Sequence, residues 1–372
     1  MSVYESLGIR RVINADARLT RLGGSRMPEP VLAAMRDAAT AYVDMHELQA
    51  AVGKRLAALT RNEAAYVTTG AAAGIVVATL AAMTGGDLRL IARMLEGEPP
   101  PRTRVIVQRA QRIPYDTVAR LAGAEIVEVG NAVQTFAWEL DAAIDDRTAM
   151  VLFAAGDHLR RGSLPLEETV EVTRGRGVPV VVDAAAQLPP PANLWWFTTG
   201  SGATAAIFSG GKDLRGPQVS GLVVGSAEFV AAMAANGSPH QRLGRPMKVG
   251  KEEMVGLLAA VEWYLAQDHD ARIADLEARV ARWIARFGAY PGIAASREFP
   301  DEAGQPVPRL RLTFDRETTG LDAVEVRRRL WDGDPRVHVA VADPAAISLS
   351  FGPLDGDDDE PIATRLEEIL AG

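Results

Sequence analysis

A repeated alternation of helix-like and strand-like segments constrains the fold of this chain more than any other feature. From about residue 50 to residue 225 of 372, amphipathic segments alternate with short β-branched runs. This order is typical of an α/β protein with a mostly parallel sheet covered on both faces by helices. The predicted strands are Arg104–Val107, Glu125–Val129, Met150–Ala154, Val178–Asp183, Ala205–Ser209 and Gly221–Gly225.

The segments between these strands predict helices, except in one connection. The last two strands are separated only by GGKDLRGPQVS. A parallel crossover needs about a dozen residues or more, so we expect one of these two strands to run antiparallel. The predicted helices are Tyr115–Leu121, Leu140–Asp145 and Leu166–Arg174.

The pattern changes beyond Gly250 and predicts a smaller α+β domain. Because the first 45 residues are too few to bury a core of their own easily, we expect them to pack on it. The predicted domains are therefore 46–255, and 1–45 together with 256–372. The small-domain elements are a helix Glu252–Arg286 broken near Asp268–Asp270, strands Leu310–Phe314, Val337–Val341 and Ile347–Phe351, and helices Asp322–Trp331 and Pro361–Leu370.

Composition excludes several kinds of partner and chemistry. The 40 Lys and Arg against 48 Asp and Glu give a formal charge of −8, which argues against nucleic-acid or anionic-membrane binding. Cysteine is absent, so thiolate chemistry is excluded. The absence of a signal-like or membrane-length apolar run predicts a cytoplasmic protein. We expect no metal site, because the five histidines form no ligand motif: His46, His158, His240, His269 and His338.

Three segments carry candidate chemistry at predicted strand ends, where open α/β sheets bind ligands. Thr68–Gly74 places small residues and hydroxyls at a helix start, which suits an anion or simply a Thr-capped, tightly packed helix. Asp183 ends a buried strand before three alanines and suits a carboxylate under a heteroaromatic ring, a helix cap or a metal ligand. Lys212 lies in a glycine-rich turn, where the alternative is an ordinary surface lysine.

In combination the three segments match the needs of pyridoxal 5'-phosphate. A Schiff-base lysine, a carboxylate for the pyridine nitrogen and an anion site for the phosphate are what this cofactor requires. The segments VVDAAAQLPPPANL and IFSGGKDLRGPQVSGLVVG resemble fold type I pyridoxal-phosphate enzymes, in the branch of selenocysteine synthase and D-glucosaminate-6-phosphate ammonia-lyase. Further similar segments are RVINADARLTRLGGS, YVDMHELQ, VTTGAAAG, RIPYDTVARLAGAEIVEVG, GSLPLEETVEV and GRPMKVGKEEMVGL.

The resemblance implies a seven-stranded, mostly parallel sheet between helices, with a smaller α+β domain. It implies that Lys212 forms the Schiff base and moves the substrate Cα proton, while Asp183 pairs with the pyridinium nitrogen. Gln111 stands where relatives often have a histidine over the ring, and Asp213 stands where a small residue is expected. The other implied cofactor contacts are Thr68, Thr69, Gly70, Ala71, Ala185 and Ser209.

The resemblance also implies a substrate-binding arginine in the small domain and a site shared within a dimer or larger homo-oligomer. Asp16 and Arg18 differ from the expected pattern and are further substrate-facing candidates. The basic loop 244–252 is a candidate for a shared site, or an ordinary loop before a helix. The small-domain candidates are Arg309, Arg311, Arg336 and His338, for which solvent-facing strand positions are the alternative.

The leading functional hypothesis is a pyridoxal-phosphate enzyme that acts at Cα of a small amino acid. An ammonia-lyase would eliminate a Cβ hydroxyl from a hydroxylated or sugar-derived amino acid and release a 2-oxo acid and ammonia. A racemase or epimerase is the main alternative and needs a second acid. A selenium transferase acting on charged tRNA is disfavoured by the acidic composition, and a non-catalytic paralogue by the joint presence of Lys212, Asp183 and Thr68–Gly74.

Overall fold

The computed structural model describes residues 2–371, which form two compact units. The larger unit is Met27–Ala266; the smaller contains the chain up to Arg26 and from Gln267 onward. The strands are β1 Val12–Asn14, β2 Ala64–Thr68, β3 Arg104–Gln108, β4 Glu125–Val129, β5 Thr148–Ala154, β6 Val180–Asp183, β7 Ala205–Ser209, β8 Gly221–Gly225, β9 Ile293–Glu298, β10 Arg309–Phe314, β11 Arg336–His338, β12 Ala340–Asp343 and β13 Ala346–Leu349.

Helices flank these strands throughout the described part of the chain. The helices are α1 Val3–Ser6, α2 Glu29–Ala38, α3 Met45–Leu59, α4 Ala71–Thr84, α5 Leu88–Leu95, α6 Ala137–Ala143, α7 Leu166–Arg174, α8 Asn193–Trp195, α9 Ala227–Asn236, α10 Lys251–Leu265, α11 His269–Phe287, α12 Arg316–Thr319, α13 Ala323–Asp332 and α14 Asp359–Ala371. Among the described residues no single helix is long and apolar enough to cross a membrane; α4 and α5 pass that test only as a pair bent by 115°.

The larger unit is built on a seven-stranded sheet in the order β2-β8-β7-β6-β5-β3-β4. Strands β3 to β7 are parallel, whereas β8 is antiparallel to both β7 and β2. The predicted reversal is confirmed and falls on β8. Two successive reversals give β2 the direction of β7, so the carboxyl ends of β2, β5, β6 and β7 lie at one margin, which we call the carboxyl edge.

Helix α4 lies in one of the two cores of the larger unit. It is apolar on all sides, and most of its residues are buried. A Cβ on Gly74 would lie 2.9 Å from Ile207 Cγ2 and 3.4 Å from Val223 Cγ2. The glycine therefore allows the helix to approach β7 and β8 closely, which holds the start of α4 at the carboxyl edge.

The smaller unit contains a four-stranded antiparallel sheet, β12-β13-β10-β9, and a parallel pair, β1-β11. Leu310, Leu312 and Phe314 alternate along β10 into its core, where they join Trp283 and Phe287 of α11. The predicted break in the long helix is confirmed, because α10 ends at Leu265 and Asp268 caps α11 by accepting a hydrogen bond from the Ala271 N–H.

Several predicted boundaries differ from those observed. Strands β1, β2 and β9 were not predicted, and the predicted strand Val337–Val341 is instead two strands, β11 and β12, in different sheets. The predicted helix Tyr115–Leu121 is a 3₁₀ helix, Pro114–Ala122, that ends at Gly123 with φ 86°. The compact units divide at residues 26/27 and 266/267 instead of 45/46 and 255/256. The reason is that α2 packs on α10 within the larger unit, so only residues up to Arg26 join the C-terminal segment.

Candidate active site

The carboxyl edge brings the ends of five strands into one row. Gly221, the first residue of β8, pairs with Thr68 of β2 on one side and with Ser209 of β7 on the other. Asp183 of β6 pairs with Ile207 of β7, and with Ala154 of β5. Neighbouring strands lie about 4.8 Å apart, so these residues border one continuous strip of the sheet margin.

The start of α4 lies at this strip, next to the end of β2. Gly70 caps the helix with φ 87°, and the first intrahelical bond runs from Gly74 N–H to Gly70 O at 3.1 Å. The amides of Ala71, Ala72 and Ala73 precede that bond, at the positive end of the helix dipole. No heavy atom lies within 4 Å of a Cβ placed on Gly70, so the backbone there faces open space.

The hydroxyl of Thr68 stabilises the turn between β2 and α4. Its hydroxyl donates to Gly70 O at 2.9 Å and lies 3.4 Å from Gly221 O, so its proton is committed to holding the turn. Thr69, Ala71 and Ser209 are partly exposed at the same edge. These contacts support an anion site formed mainly by backbone N–H groups, and the individual phosphate contacts remain predictions.

Lys212 lies in a tightly constrained turn after β7. Gly210 N–H donates to Ser220 O at 2.9 Å, and Gly216 N–H donates to Gly210 O at 2.8 Å. A Cβ on Gly211 would lie 2.6 Å from the Cα of Gln218. The turn therefore needs its glycines for close backbone approach, and it fixes the origin of the Lys212 side chain.

Asp183 is the buried carboxylate of the site. Its Oδ1 accepts a hydrogen bond from Ala185 N–H at 3.1 Å, and the residue is 8% exposed. Burial raises the pKa of Asp183, while the Ala185 amide and the charge of Lys212 act in the opposite direction. Asp183 and Lys212 therefore interact electrostatically at the carboxyl edge, and a cation bound beside Asp183 would further stabilise its ionised form.

Gln111 lies at the same sheet edge, across β5 from Asp183. It ends the 3₁₀ turn Arg109–Gln111 that follows β3, is 3% exposed, and accepts a hydrogen bond from Ala154 N–H at 3.3 Å through Oε1. Because Ala154 pairs with Asp183, the structure brings Gln111 to the same edge as the predicted cofactor residues.

Comparison with known proteins agrees with this arrangement. A family model described as SelA, L-seryl-tRNA selenium transferase, matches residues 12–278. The chain belongs to this family. It is 34% identical to a Streptomyces 5'-C-glycyluridine monooxygenase-decarboxylase, over 99% of this chain and 92% of that protein. It is 33% identical to the D-glucosaminate-6-phosphate ammonia lyase of Salmonella typhimurium, over 91% and 89%.

The structure of this chain matches a solved structure of D-glucosaminate-6-phosphate ammonia-lyase with a TM-score of 0.88 and 31% sequence identity. The match covers 100% of this chain and 98% of that chain. The fold is that of fold type I pyridoxal-phosphate enzymes, and the predicted fold class is confirmed. The relatives support the prediction of an enzyme and favour a lyase over a racemase.

The residues at the carboxyl edge fit pyridoxal 5'-phosphate, on which this family depends. Asp183 offers a buried carboxylate to a protonated ring nitrogen, and Lys212 offers an amine to the aldehyde. The open backbone before Gly74 offers N–H groups to the phosphate. The ring nitrogen, the aldehyde and the phosphate of the cofactor thus each have a matching group in the larger unit.

The small-unit candidates form a network of charges. Arg309 and Arg311 both approach Glu298, at 3.8 and 3.9 Å, so they share one face of β10 as predicted. Arg309 also pairs with Glu302 at 2.7 Å, and Arg311 pairs with Asp343. Their charges are therefore largely balanced within this unit.

Strand β11 carries the other two candidates. Arg336 and His338 both contact the Trp331 ring, Arg336 at 4.7 Å from its centroid and His338 edge-on at 5.8 Å. His338 Nε2 also lies 3.2 Å from Asp16 Oδ2 and 2.6 Å from Arg21. Arg336 donates through Nε to Trp331 O and forms no ion pair among residues 2–371.

Asp16 and Arg18 are tied into the same unit. Burial raises the pKa of Asp16, but the hydrogen bond with His338 and the backbone N–H of Ala17 outweigh it, so the pKa lies below its ordinary value. Arg18 donates to Gly352 O at 2.8 Å. Their predicted contact with substrate remains a prediction.

We predict that Gly221→Ala weakens cofactor binding, because the new Cβ would lie 2.5 Å from Gly70 C and 2.6 Å from Thr68 Oγ1. The displaced turn should lower the affinity for pyridoxal 5'-phosphate at least tenfold, as measured by fluorescence titration. Gly225→Ala is the matched control. Its new Cβ would lie 2.3 Å from Thr204 O at the opposite end of β8. Overpacking of this kind lowers the stability of the fold by about 1–3 kcal/mol, so this variant is destabilised without a direct effect on the turn before α4. Equal loss of affinity in both variants would contradict the prediction.

Proposed function

We propose that this chain is a pyridoxal-phosphate-dependent ammonia-lyase that acts on a hydroxylated or sugar-derived amino acid. The observation that carries the proposal is the meeting of Asp183, Lys212 and the start of α4 at one sheet edge. The two relatives are named for D-glucosaminate 6-phosphate and 5'-C-glycyluridine, which supports a sugar-derived amino acid as the substrate class.

The assignment of Lys212 is supported by elimination. The sequence contains four lysines: Lys54, Lys212, Lys248 and Lys251. Lys54 and Lys248 are exposed, on α3 and in the 244–252 loop. Lys251 donates to Ala38 O at 2.6 Å and pairs with Glu252. Lys212 is therefore the lysine that follows a strand at the carboxyl edge.

In the proposed reaction each residue has a defined task. When bound, the cofactor supplies an electron sink for the bonds to the substrate Cα. Asp183 would hold the proton on the ring nitrogen, and the first amides of α4 would bind the phosphate. Lys212 Nζ would remove the Cα proton and give a proton to the departing Cβ hydroxyl. Water is released in that step and consumed in the hydrolysis that yields the 2-oxo acid and ammonia.

The alternatives are less well supported by the chain's own residues. A racemase needs a second acid opposite Lys212, and the Gln111 amide at this edge cannot donate a proton to carbon. A selenium transferase must hold a tRNA, which the net charge of −8 disfavours. We propose a small amino acid as the partner, and no nucleic acid.

For the substrate carboxylate, the candidates remain Arg311, Arg336 and His338. Arg311 is paired with Asp343 and approaches Glu298, and His338 contacts Asp16 and Arg21. Arg336 forms no ion pair among the described residues and is only held at Trp331. We therefore favour Arg336, because its charge is not already neutralised.

We further propose that the chain forms a dimer or larger homo-oligomer through the surface beside α3 and α9. A groove of about 590 Å³ lies between these helices along β2; its lining includes several alanines and also His46 and His240, whose rings are 4.8 Å apart. Tyr42 is 103% exposed, Val43 50% and Leu243 41%. A two-fold interface brings the same patch of two subunits together, so a second copy placed here would bury the exposed apolar residues and the groove at once.

We predict that borohydride reduction of the cofactor-loaded protein attaches the cofactor at Lys212 only. Peptide mass spectrometry distinguishes the four lysines, and Lys248→Ala is the matched control. Lys212→Ala should lose the visible absorption and the covalent product, while the control retains both. Labelling of another lysine, or a wild-type protein that takes up no cofactor, would refute the assignment.

We predict that the reaction in deuterated water releases ammonia from a β-hydroxy amino acid. Serine, threonine and D-glucosaminate 6-phosphate are the first substrates to test, with NMR for Cα exchange and an enzymatic assay for ammonia. Exchange with inversion at Cα and no ammonia would instead establish the racemase.

We predict that light scattering gives at least twice the mass of one chain. Tyr42→Asp should shift the equilibrium toward monomer, because it places a charge in the apolar contact. Tyr115→Asp is the control, since Tyr115 is 59% exposed elsewhere. A monomeric wild type, or equal effects of both substitutions, would overturn this proposal.

A further inference from the structure

Gln111 extends the hydrogen-bond ladder of the central sheet. Strand β3 ends at Gln108, whereas its neighbour β5 continues to Ala154. The backbone of β3 is therefore no longer present opposite the last N–H of β5. Gln111 Oε1 accepts that N–H at 3.3 Å, which fixes the orientation of the buried amide.

The other half of the same amide is unused. Gln111 Nε2 forms no hydrogen bond to any residue between 2 and 371. It also retains some contact with solvent. Ala154, which holds Oε1, is the strand partner of Asp183. A fixed N–H donor with some solvent access therefore lies at the carboxyl edge, across β5 from the buried carboxylate of Asp183.

Gln108 shows what a purely structural glutamine looks like here. It is fully buried, its Oε1 accepts from Leu164 N–H at 2.5 Å, and its Nε2 donates to Leu164 O at 3.2 Å. Both ends of that amide are used to fix the loop after β5. Gln111, three residues later, uses only one end.

We propose that Gln111 is a positioning residue whose Nε2 donates a hydrogen bond to an anionic oxygen of the molecule bound beside Asp183. This inference rests on the proposed function. The oxygen belongs either to the cofactor ring or to the substrate carboxylate. Both are anionic hydrogen-bond acceptors for an amide N–H donor. An amide does not titrate, so Gln111 orients its ligand without exchanging a proton with it.

The test is Gln111→Glu in the cofactor-loaded protein. Glutamate retains an oxygen for Ala154 N–H but replaces the donor by a second acceptor, so the sheet contact survives and the proposed contact is lost. Gln108→Glu is the control for a buried charge near this edge. Gln111→Met, which removes the donor without adding charge, replaces Gln111→Glu if that variant fails to fold.

Two measurements distinguish the source of the oxygen. If it belongs to the cofactor, Gln111→Glu should weaken pyridoxal 5'-phosphate binding at least tenfold and shift the absorption of the bound cofactor without substrate. If it belongs to the substrate, the spectrum should be unchanged and the affinity for serine, followed by absorption, should fall at least tenfold. The inference is overturned if Gln111→Glu gives the same cofactor binding and substrate affinity as wild type. It is also overturned if Gln111→Glu and Gln108→Glu give the same values in both measurements.

Gln111→His tests the proposed contact through pH dependence, which should not change if Gln111 has only a structural role. Histidine restores an N–H donor but titrates near its ordinary pKa of about 6.5. The bound-cofactor spectrum or the rate should therefore gain a pH inflection between about pH 5 and 8 that wild type lacks; an unchanged profile counts against the inference. A wild type without bound cofactor overturns the proposed function as well, whereas an unaltered Gln111→Glu in a loaded enzyme overturns only this inference.

Discussion

The close passage of β8 beneath the turn between β2 and α4 is the constraint on which the site depends. Gly221 lies so near Gly70 and Thr68 that no side chain fits between them. This contact joins the edge strand β2, the central strand β7 and the start of α4. The first amides of α4 are therefore placed relative to Asp183 and Lys212 by backbone packing, with few polar side chains involved.

Much of the larger unit could be predicted because its strands are short β-branched or apolar runs bounded by turn residues. Glu125–Val129, Ala205–Ser209 and Gly221–Gly225 were predicted with their observed bounds. Strand β2 was missed because Ala64 and Ala65 have weak strand preference and the segment runs directly into a helix start. The placement of α2 could not be predicted either, since it depends on packing against α10, more than 200 residues later.

The site was predictable to a different degree in its separate parts. Asp183, Lys212 and the start of α4 could be anticipated from residue types at strand ends, because a parallel sheet brings such ends together. The half-used amide of Gln111 could not be anticipated, since it depends on β5 extending beyond the end of β3. In the smaller unit, Asp16 approaches both Arg309 and His338 from a segment distant in sequence, so this part of the charge balance is visible only in three dimensions.

The burial of α4 on every side has a consequence for how such a scaffold diversifies. A helix without a solvent face cannot slide or tilt without disturbing the core, so its N-terminus is an immobile reference point. New substrates must then be accommodated by parts of the molecule that are free to vary. The family model and the relatives of this chain carry the names of a selenium transferase, a lyase and a monooxygenase-decarboxylase, and a fixed helix start with variable surroundings is compatible with that range.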